Sequence, residues 1–508
     1  MIAQRRCYLV PVSIDDARYE ALSARDPRFD GVFFVGVQTT GIYCRPICPA
    51  RTPGRARCAF FTSSALAEHA GFRPCLRCRP ELAPGCAATV AARAAVATVA
   101  SVDAVDALVA KLTHRINEGA LNEASIGELA TELGVSARHL RRATESRLGV
   151  SPVELAQTRR LALAKHLLQD TALPITTIAF AAGFGSVRRF NAMFAAKMGT
   201  PPSAVRRTHA ARAGEVISLR LDYRPPYDWA RLLGFLRGRA IPGVERVGER
   251  TYRRIVHLAG HAGEIAVTAS PHRDALQLEL APSLLPVVMP LVARVRRMFD
   301  LDARPDLIER QLGRDRTLAP LIAARPGLRV PGAIDPFEAS IRALLGQQVS
   351  VAAATTLAGR FVARFGTRVA EADLCYRFPT PGEVASAGAG SIVKVGMPMA
   401  RATAIHGFAL ALALGDLTLE HSADLAVDLD VFVARLCELR GIGPWTAHYL
   451  AMRALHLSDA FPASDLGIQK ALRRAGAKAA EARAEAWRPY RSYAVIHLWT
   501  QLAERNQP

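Results

Sequence analysis

The 508-residue sequence lacks an uncharged apolar stretch long enough to cross a bilayer, and it lacks an apolar signal segment near its start. The first absence argues against a membrane-spanning helix, and the second argues against secretion. The nine cysteines follow no disulfide-type framework, which is typical of proteins in a reducing compartment. We therefore expect a cytoplasmic protein that does not have a membrane as a partner.

Acidic residues are also in short supply. The 45 Asp and Glu residues are outnumbered by 65 Lys and Arg residues, which gives a formal net charge of +20. Such a surplus attracts polyanions and favours a nucleic-acid partner, although genome composition alone also enriches arginine together with alanine. The length suits three or four domains of about 150 residues each.

Four cysteines form two close pairs, Cys44 with Cys48 and Cys75 with Cys78. Paired thiols on two tight turns suit a tetrahedral zinc site with four sulfur ligands. The spacing alone leaves open whether the zinc site is purely structural. The surrounding sequence favours a second interpretation, a thiolate that stays nucleophilic near DNA phosphates, because it is crowded with basic residues. These are Arg45, Arg51, Arg55, Arg57, Arg73, Arg77 and Arg79.

Segments 33–37, 39–46 and 71–78 closely resemble the zinc domain of the Ada family. The resemblance implies a domain at 1–86 in which Cys44 irreversibly accepts a methyl group from a methylphosphotriester in DNA, as a single-turnover methyltransferase. It implies one Zn²⁺, with Cys48, Cys75 and Cys78 as the other ligands. The Pro-Cys-His-Arg motif of the alkylguanine-repair half of this family does not occur in the sequence. The thiols without paired spacing are interpreted as ordinary: Cys7, Cys58 and Cys86.

An alanine-rich segment at 87–104 predicts a linker, and two copies of one helical pattern follow it. In each copy an apolar helix ends at a glycine, and Ser136 or Ser186 then begins an arginine-bearing helix. The pattern predicts two helix-turn-helix units with recognition helices at 136–146 and 186–197. With the bridging helix at 155–168, they resemble the AraC-type DNA-binding domain, here at 105–208. The candidate contacts, each with a solvated helix face as the alternative, are Arg138, His139, Arg141, Arg142, Arg188 and Arg189.

Alternating apolar residues at 216–221 and 276–280 predict a small antiparallel α/β subdomain at 215–286, and helical periodicity dominates 287–508. In the helical part, Gly441 and Gly443 allow a helix–hairpin–helix turn whose backbone N–H groups face a phosphate. Asp465 follows Thr446 by 19 residues. Each signal is weak alone, because a lone Asp after a proline is more often a helix cap.

Segments 223–235, 325–329, 345–351 and 487–493 resemble the 3-methyladenine glycosylase II branch of the helix–hairpin–helix DNA glycosylases. This resemblance covers nearly all of 215–508. It implies that Asp465 is the catalytic carboxylate that faces a developing cationic sugar. It assigns DNA contact to Gly441, Gly443 and Thr446. It assigns an aromatic cleft for the base to Trp445, Tyr449, Trp499 and Phe235.

Departures from the superfamily narrow the chemistry. Trp445 stands where bifunctional members carry a lysine nucleophile, so we expect a monofunctional glycosylase that leaves an abasic site. Cys375 and Cys437 do not form the four-cysteine motif of iron–sulfur members, so no Fe–S cluster is expected. Gln348 replaces an apolar wedge residue, and glutamine can also intercalate or bond the orphan base. Trp487 and Tyr493 are interpreted as core residues.

The chain as a whole resembles a fusion of the Ada and AlkA families. We predict a multidomain, mainly α protein with α+β parts: a small four-cysteine zinc domain, an all-α double helix-turn-helix domain, a small antiparallel α/β subdomain and a helical helix–hairpin–helix glycosylase domain. The two halves on either side of Gly214 are expected to fold independently.

The predicted function is DNA alkylation repair, by excision of N-alkylated purines through N-glycosidic hydrolysis, combined with methylation-activated transcription regulation. The alternative is a repair glycosylase whose zinc and helix-turn-helix modules only tether it to DNA. The expected partners are damaged and promoter double-stranded DNA, with RNA polymerase as a further candidate. The expected location is the nucleoid of a bacterial cytoplasm.

Overall fold

The computed structural model describes residues 13–85, 104–206, 217–419, 429–473 and 476–505. Cys7, Cys86, nearly all of the predicted linker at 87–104 and nearly all of a second predicted linker at 206–214 lie outside these residues. Helices dominate the described residues, and the strands form small sheets. The predicted mainly α class with α+β parts is therefore confirmed. Within the described ranges, no helix combines the length and the apolar character needed to span a membrane.

The helices before residue 207 are α1 (Ile14–Ser23), α2 (Ser64–His69), α3 (Ala104–Asn117), α4 (Ala120–Glu123), α5 (Ile126–Glu132), α6 (Ala137–Leu148), α7 (Pro152–Asp170), α8 (Ile175–Ala181), α9 (Val187–Met198) and α10 (Pro202–Val205). The later helices are α11 (Trp229–Arg237), α12 (Val288–Met298), α13 (Pro305–Leu312), α14 (Leu318–Ala324), α15 (Pro336–Leu345), α16 (Val351–Phe365), α17 (Pro381–Ala387), α18 (Ala389–Val393), α19 (Met399–Leu414), α20 (Leu429–Cys437), α21 (Pro444–Arg453), α22 (Leu466–Ala471), α23 (Ala477–Ala484) and α24 (Arg491–Arg505). The strands are β1 (Phe34–Val37), β2 (Ile42–Cys44), β3 (Cys58–Phe61), β4 (Arg73–Pro74), β5 (Ile217–Asp222), β6 (Glu245–Val247), β7 (Thr251–Leu258), β8 (His261–Ala269), β9 (Ala275–Leu280), β10 (Thr367–Arg368) and β11 (Tyr376–Arg377).

Strands β1 to β4 form a sheet in the order β3-β1-β2-β4. Successive residues of a strand point to opposite faces, so Phe34 and Val35 pack into separate small cores on the two sides. Strand β2 pairs with β4 in parallel. Cys44 ends β2, and Cys75 directly follows β4. The two cysteines therefore lie side by side at the carboxyl ends of these paired strands.

Two helix-turn-helix units follow, formed by α5 with α6 and by α8 with α9. Gly134 and Gly183 have positive φ angles of 69° and 83° in the turns, a conformation that glycine adopts without strain. Ser136 and Ser186 accept hydrogen bonds from the backbone N–H three residues further on and so cap α6 and α9. The predicted serine-capped helices are confirmed, and each extends one or two residues beyond its predicted end.

Strands β5 to β9 form an antiparallel sheet in the order β5-β9-β8-β7-β6. Ile217, Leu219 and Leu221 are buried on β5, as the alternating pattern predicts. From Val288 onward the described chain is helical apart from the β10–β11 pair. Helix α15 buries most of its residues and lies in the carboxy-terminal helical core.

One hydrophobic core crosses the predicted boundary between the second helix-turn-helix unit and the five-stranded sheet. It contains Leu161, Phe190 and Phe194 on one side and Leu219 and Tyr252 on the other, all of them fully buried. Burying one such side chain stabilises a fold by about 1.5–3 kcal/mol, so separating the two parts would expose costly apolar surface on both. This packing argues against the prediction that the two halves fold independently.

The zinc domain docks on α7 through buried polar contacts. Lys165 Nζ donates hydrogen bonds to the Cys75 carbonyl at 2.9 Å and to Glu81 at 2.7 Å. Glu68 accepts a hydrogen bond of 2.7 Å from the Thr158 hydroxyl. Because α7 bridges the two helix-turn-helix units, these contacts fix the four-cysteine loops relative to both recognition helices.

A second buried connection joins the zinc domain to the five-stranded sheet. Arg45, next to the first cysteine, forms ion pairs with Asp30 of its own domain and with Asp222 of β5, the latter at 2.7 Å. Arg224, just after β5, donates hydrogen bonds to the carbonyls of Asp30 and Pro84 at 2.8 and 2.6 Å. One network of buried charges therefore holds the cysteine loop and the first strand of the sheet together.

We expect Arg45→Ala to lower the free energy of unfolding by about 3–5 kcal/mol, because it removes the shared counterion of two buried carboxylates. Urea unfolding of the zinc-loaded full chain measures this loss. Arg18→Ala breaks a more exposed pair with Asp15 and should cost less than about 1 kcal/mol. Equal losses for the two variants would show that the network does not hold the domains together.

Candidate metal centre and aromatic cleft

The four predicted sulfur ligands come together at one point. Their Sγ atoms all lie within 4.8 Å of one another. Zinc–sulfur bonds of about 2.3 Å in a tetrahedron require sulfur separations of roughly 3.8 Å, so a small contraction closes the site. The backbone N–H groups of Arg45 and Arg77 point at Cys78 Sγ and Cys75 Sγ, each at 3.4 Å, and such bonds favour the thiolate form. This donor set fits Zn²⁺.

The four thiols differ in accessibility. Cys48 and Cys78 are buried, whereas Cys44 and Cys75 are partly exposed. The hydrogen bond with Cys44 lowers the pKa of Cys48. Only an accessible sulfur can meet a phosphotriester on DNA, so the geometry restricts an acceptor role to Cys44 and Cys75.

The seven arginines near the thiols do not share one role. Arg45 and Arg79 are buried, and Arg79 forms ion pairs with Glu81 and Asp170. This corrects the expectation that all seven crowd the thiolates as charges available to DNA, because a buried, paired arginine has no charge available for a phosphate. The exposed members are Arg51, Arg57, Arg73 and Arg77.

The predicted DNA contacts of the helix-turn-helix units are all exposed. They lie in the first half of α6 and of α9, where a recognition helix meets base edges and phosphates. They are Arg138, His139, Arg141 and Arg142 on α6, and Arg188 and Arg189 on α9.

Asp465 caps α22 and also faces two indole rings. Its Oδ1 accepts hydrogen bonds from the Ile468 backbone N–H at 2.9 Å and from Trp499 Nε1 at 3.0 Å. Its Oδ2 accepts one from Trp445 Nε1 at 2.9 Å. The carboxylate is therefore both a helix cap and a fixed, partly exposed negative charge between two aromatic side chains.

A helix–hairpin–helix joins α20 to α21. Gly441 has a φ of 86°, and a Cβ there would lie 2.6 Å from the Ala404 Cβ, so the chain itself requires a glycine. A Cβ at Gly443 would meet nothing within 4 Å, which leaves space for a phosphate. Thr446 is buried, and its hydroxyl accepts a hydrogen bond of 3.0 Å from Gln347 Nε2. The Thr446 side chain therefore holds the hairpin to the loop after α15.

The aromatic residues predicted to line a cleft are partly brought together by α21 and α24. The rings of Trp445 and Tyr449 stack at 5.3 Å between centroids with an interplanar angle of 21°. The ring centroids of Tyr449 and Trp499 lie 6.2 Å apart. These three rings and the Asp465 carboxylate, which accepts from both indoles, therefore form one contiguous cluster, which is the candidate base cleft.

Phe235 contacts two cations. The guanidinium carbons of Arg239 and Arg453 lie 3.8 and 4.7 Å from its ring centroid. Arg453 also lies 5.9 Å from the ring of Tyr449. Sequence reasoning missed both arginines, although a signal existed: Arg453 follows Trp445 and Tyr449 on α21 at four-residue spacing, which places all three on one helix face.

Gln348 projects from the loop between α15 and α16. It is exposed and has a φ of 56°, which is unusual for a residue other than glycine. The neighbouring Gln347 donates a hydrogen bond of 2.9 Å to the Gly441 carbonyl, and Arg401 donates one of 2.6 Å to the Gln347 carbonyl. The loop is thus tied to the hairpin while Gln348 is exposed at its tip.

The interpretation of Trp487 and Tyr493 as core residues is confirmed. Both are buried, and Trp487 is fully inaccessible. Trp487 Nε1 donates to Asp315 at 3.1 Å, and the Tyr493 hydroxyl donates to Asp300 at 2.9 Å.

Four family models match successive parts of the chain. The metal binding domain of Ada matches 17–81, and a helix-turn-helix domain matches 129–208. The AlkA N-terminal domain matches 218–335, and the HhH-GPD superfamily of base excision DNA repair proteins matches 341–490. Fold, cysteine cluster and matches together define a multidomain protein of the Ada and AlkA type.

Known relatives share this architecture in whole or in part. The chain is 37% identical, over 95% of its length and 96% of the relative's, to the probable bifunctional transcriptional activator/DNA repair enzyme AlkA of Mycobacterium tuberculosis (strain H37Rv). It is 37% identical to DNA-3-methyladenine glycosylase 2 of Escherichia coli, over 55% of this chain and 95% of that protein. It is 34% identical to the bifunctional activator/repair enzyme Ada of E. coli, over 34% of this chain and 43% of that protein. The chain therefore belongs to the family of the bifunctional transcriptional activator/DNA repair enzyme AlkA.

Proposed function

We propose that the chain repairs alkylated DNA at two centres and that methylation of the first centre activates transcription. The four-cysteine cluster, with one Zn²⁺, accepts a methyl group, and the aromatic cleft excises N-alkylated purines. The observation that carries the excision activity is the position of Asp465, held between Trp445 and Trp499 near a helix–hairpin–helix. The protein acts in the bacterial cytoplasm, at the nucleoid, on duplex DNA.

Excision relies on the cleft and its carboxylate. An N-alkylated purine is already a cationic leaving group, so its glycosidic bond breaks with little acid catalysis. The sugar then becomes oxocarbenium-like, and the negative charge of Asp465 stabilises it while water attacks. The indole N–H groups of Trp445 and Trp499 hold that carboxylate in place. No amine nucleophile takes part, so the product is an abasic site.

Methyl transfer relies on an accessible sulfur. We assign it to Cys44, in agreement with the Ada-type motif and with its partial exposure. The Cys44 Sγ attacks the methyl carbon, an S–C bond forms, the O–C bond breaks, and the phosphodiester leaves with the electron pair. Zn²⁺, when bound, keeps the thiols ionised at neutral pH.

Activation follows from charge. A zinc ion with four thiolates has a formal charge of −2, and methylation of one sulfur reduces it to −1, so repulsion from phosphates falls. The docking of the zinc domain on α7 supports this proposal, because α7 contacts the Cys75 loop and lies between the units that contain α6 and α9. Contact of the activated protein with RNA polymerase is part of the proposal.

Incubation of the zinc-loaded full chain with methylated duplex DNA tests the excision activity. We expect release of 3-methyladenine and DNA strands that break only after alkali treatment. Strand breaks without alkali would show a lyase, and the absence of released base would refute the proposed excision.

We expect Gln348→Gly to reduce excision and binding of abasic-analogue DNA by about tenfold, because the wedge that fills the gap of the flipped base is lost. The backbone should gain rather than lose stability, since glycine adopts the positive φ of this position freely. Single-turnover excision and thermal unfolding are measured together.

Val349→Ala is the matched control, because Val349 is the exposed neighbour of Gln348. It should change the excision rate by less than about threefold, which is the size of effect expected for an ordinary surface substitution. Unchanged excision by Gln348→Gly would show that another residue is the wedge.

A further inference from the structure

Arg453 borders the candidate base cleft beside Tyr449, on the helix whose Trp445 indole bonds Asp465. It ends α21, and it follows Trp445 and Tyr449 on the same helix face. Its side chain is buried, with 8% of the residue exposed, and contacts the rings of Phe235 and Tyr449. The carboxylate therefore contacts the tryptophans of this ring cluster, and the guanidinium contacts its tyrosine.

Two donors of this arginine are unused. Within the described residues, Arg453 Nε and Nη1 have no hydrogen-bond partner, and Nη2 has only a long contact of 3.4 Å to the Gly332 carbonyl. The nearby carboxylate of Glu245 is already paired with Arg342 at 2.8 Å and lies 3.5 Å from Arg254. Leaving buried donors unpaired costs stability, and an acceptor atom of a ligand bound beside them would remove that cost.

The polarity of the cleft orients a purine. When the sugar carbon lies at Asp465, the six-membered ring of the base extends away from it, toward Phe235 and the arginines. The edge of that ring carries a carbonyl oxygen in 7-methylguanine and an amino group in 3-methyladenine. A carbonyl oxygen accepts a hydrogen bond from a guanidinium N–H. An amino group has only N–H donors to offer, and these cannot bond the N–H donors of a guanidinium.

We propose that Arg453 is a specificity-determining residue that donates to the carbonyl oxygen of an extruded 6-oxopurine and so favours 7-methylguanine over 3-methyladenine. This inference rests on the proposed excision function. Burial lowers the pKa of Arg453 to about 10, which keeps it charged at neutral pH. Its charge opposes any cationic base, and at position 6 only a base with the carbonyl oxygen gains a compensating hydrogen bond.

The test is the ratio of 7-methylguanine to 3-methyladenine that the full chain releases from one methylated duplex under single-turnover conditions. Arg453→Met removes the donors and the charge, and we expect the ratio to fall by roughly tenfold or more. Arg453→Lys keeps the charge without the planar set of donors, and it should lower the ratio in the same direction. The lysine variant decides the question if the methionine variant does not fold.

Arg239→Met is the matched control. Arg239 contacts the same phenyl ring, but its Nη1 already donates to the Phe235 carbonyl at 3.1 Å, so both bases should change together and the ratio should stay constant. Release of both bases with an unchanged ratio in both Arg453 variants would overturn the inference alone. Release of neither base by the wild-type chain would overturn the proposed function as well.

Discussion

Asp465→Asn is expected to slow base excision by about 10²–10³-fold while binding to damaged DNA stays nearly unchanged, because the charge that faces the cationic sugar is lost. Asparagine keeps the size of the side chain, and its amide oxygen can still accept from the Ile468 N–H and from Trp499. Asparagine is also a good N-cap, so α22 should stay intact. The measurement is single-turnover release of 3-methyladenine, beside a gel shift on an abasic analogue.

Trp445→Phe separates charge from positioning. It keeps the carboxylate and removes one indole N–H donor, the one that holds Oδ2. We expect a smaller loss of excision than for Asp465→Asn. Near-normal excision by Asp465→Asn would refute the catalytic assignment. Loss of DNA binding together with excision would show that this carboxylate acts only as a helix cap.

Cys44→Ala is expected to abolish methyl transfer from methylphosphotriester DNA and, with it, the induction of repair genes by a methylating agent. The variant lacks the accessible sulfur that we assign as the nucleophile. Its remaining three thiols still offer zinc ligands, so some metal binding should survive. Repair-gene expression before and after exposure, in wild type and variant, measures the regulatory part.

Cys58→Ala is the matched control for this experiment. Cys58 is a buried thiol outside the four-cysteine cluster, so its removal should leave methyl transfer and induction in place. Induction that persists in Cys44→Ala would favour the alternative in which the zinc and helix-turn-helix modules only tether a repair enzyme to DNA.

The local parts of both centres were predictable because short segments encode them. The cysteine pairs, the serine caps of α6 and α9 and the hairpin glycines each occupy fewer than about ten residues, and every one of these features is found in the structure. The two indole contacts of Asp465 were not predicted, because the hydrogen bond from Trp499 joins residues 34 positions apart.

The contacts between domains left no sequence pattern. Arg45 reaches Asp222 across 177 positions, and an arginine beside a metal ligand is more readily interpreted as a DNA contact. The core that Phe194 shares with Tyr252 likewise combines two segments that each resemble a complete domain. Such contacts depend on how folded domains pack against each other, and the local spacing of residues in the sequence does not predict this packing.

The most direct test of the central claim, that one chain carries two separate repair centres, is mass spectrometry of a single reaction. The zinc-loaded full chain is mixed with methylated duplex DNA, and the protein peptides and the free bases are analysed together. We expect one added methyl group on the peptide that contains Cys44, with free 3-methyladenine in solution. A methyl group on Cys75, an unmodified protein, or the absence of the free base would contradict it.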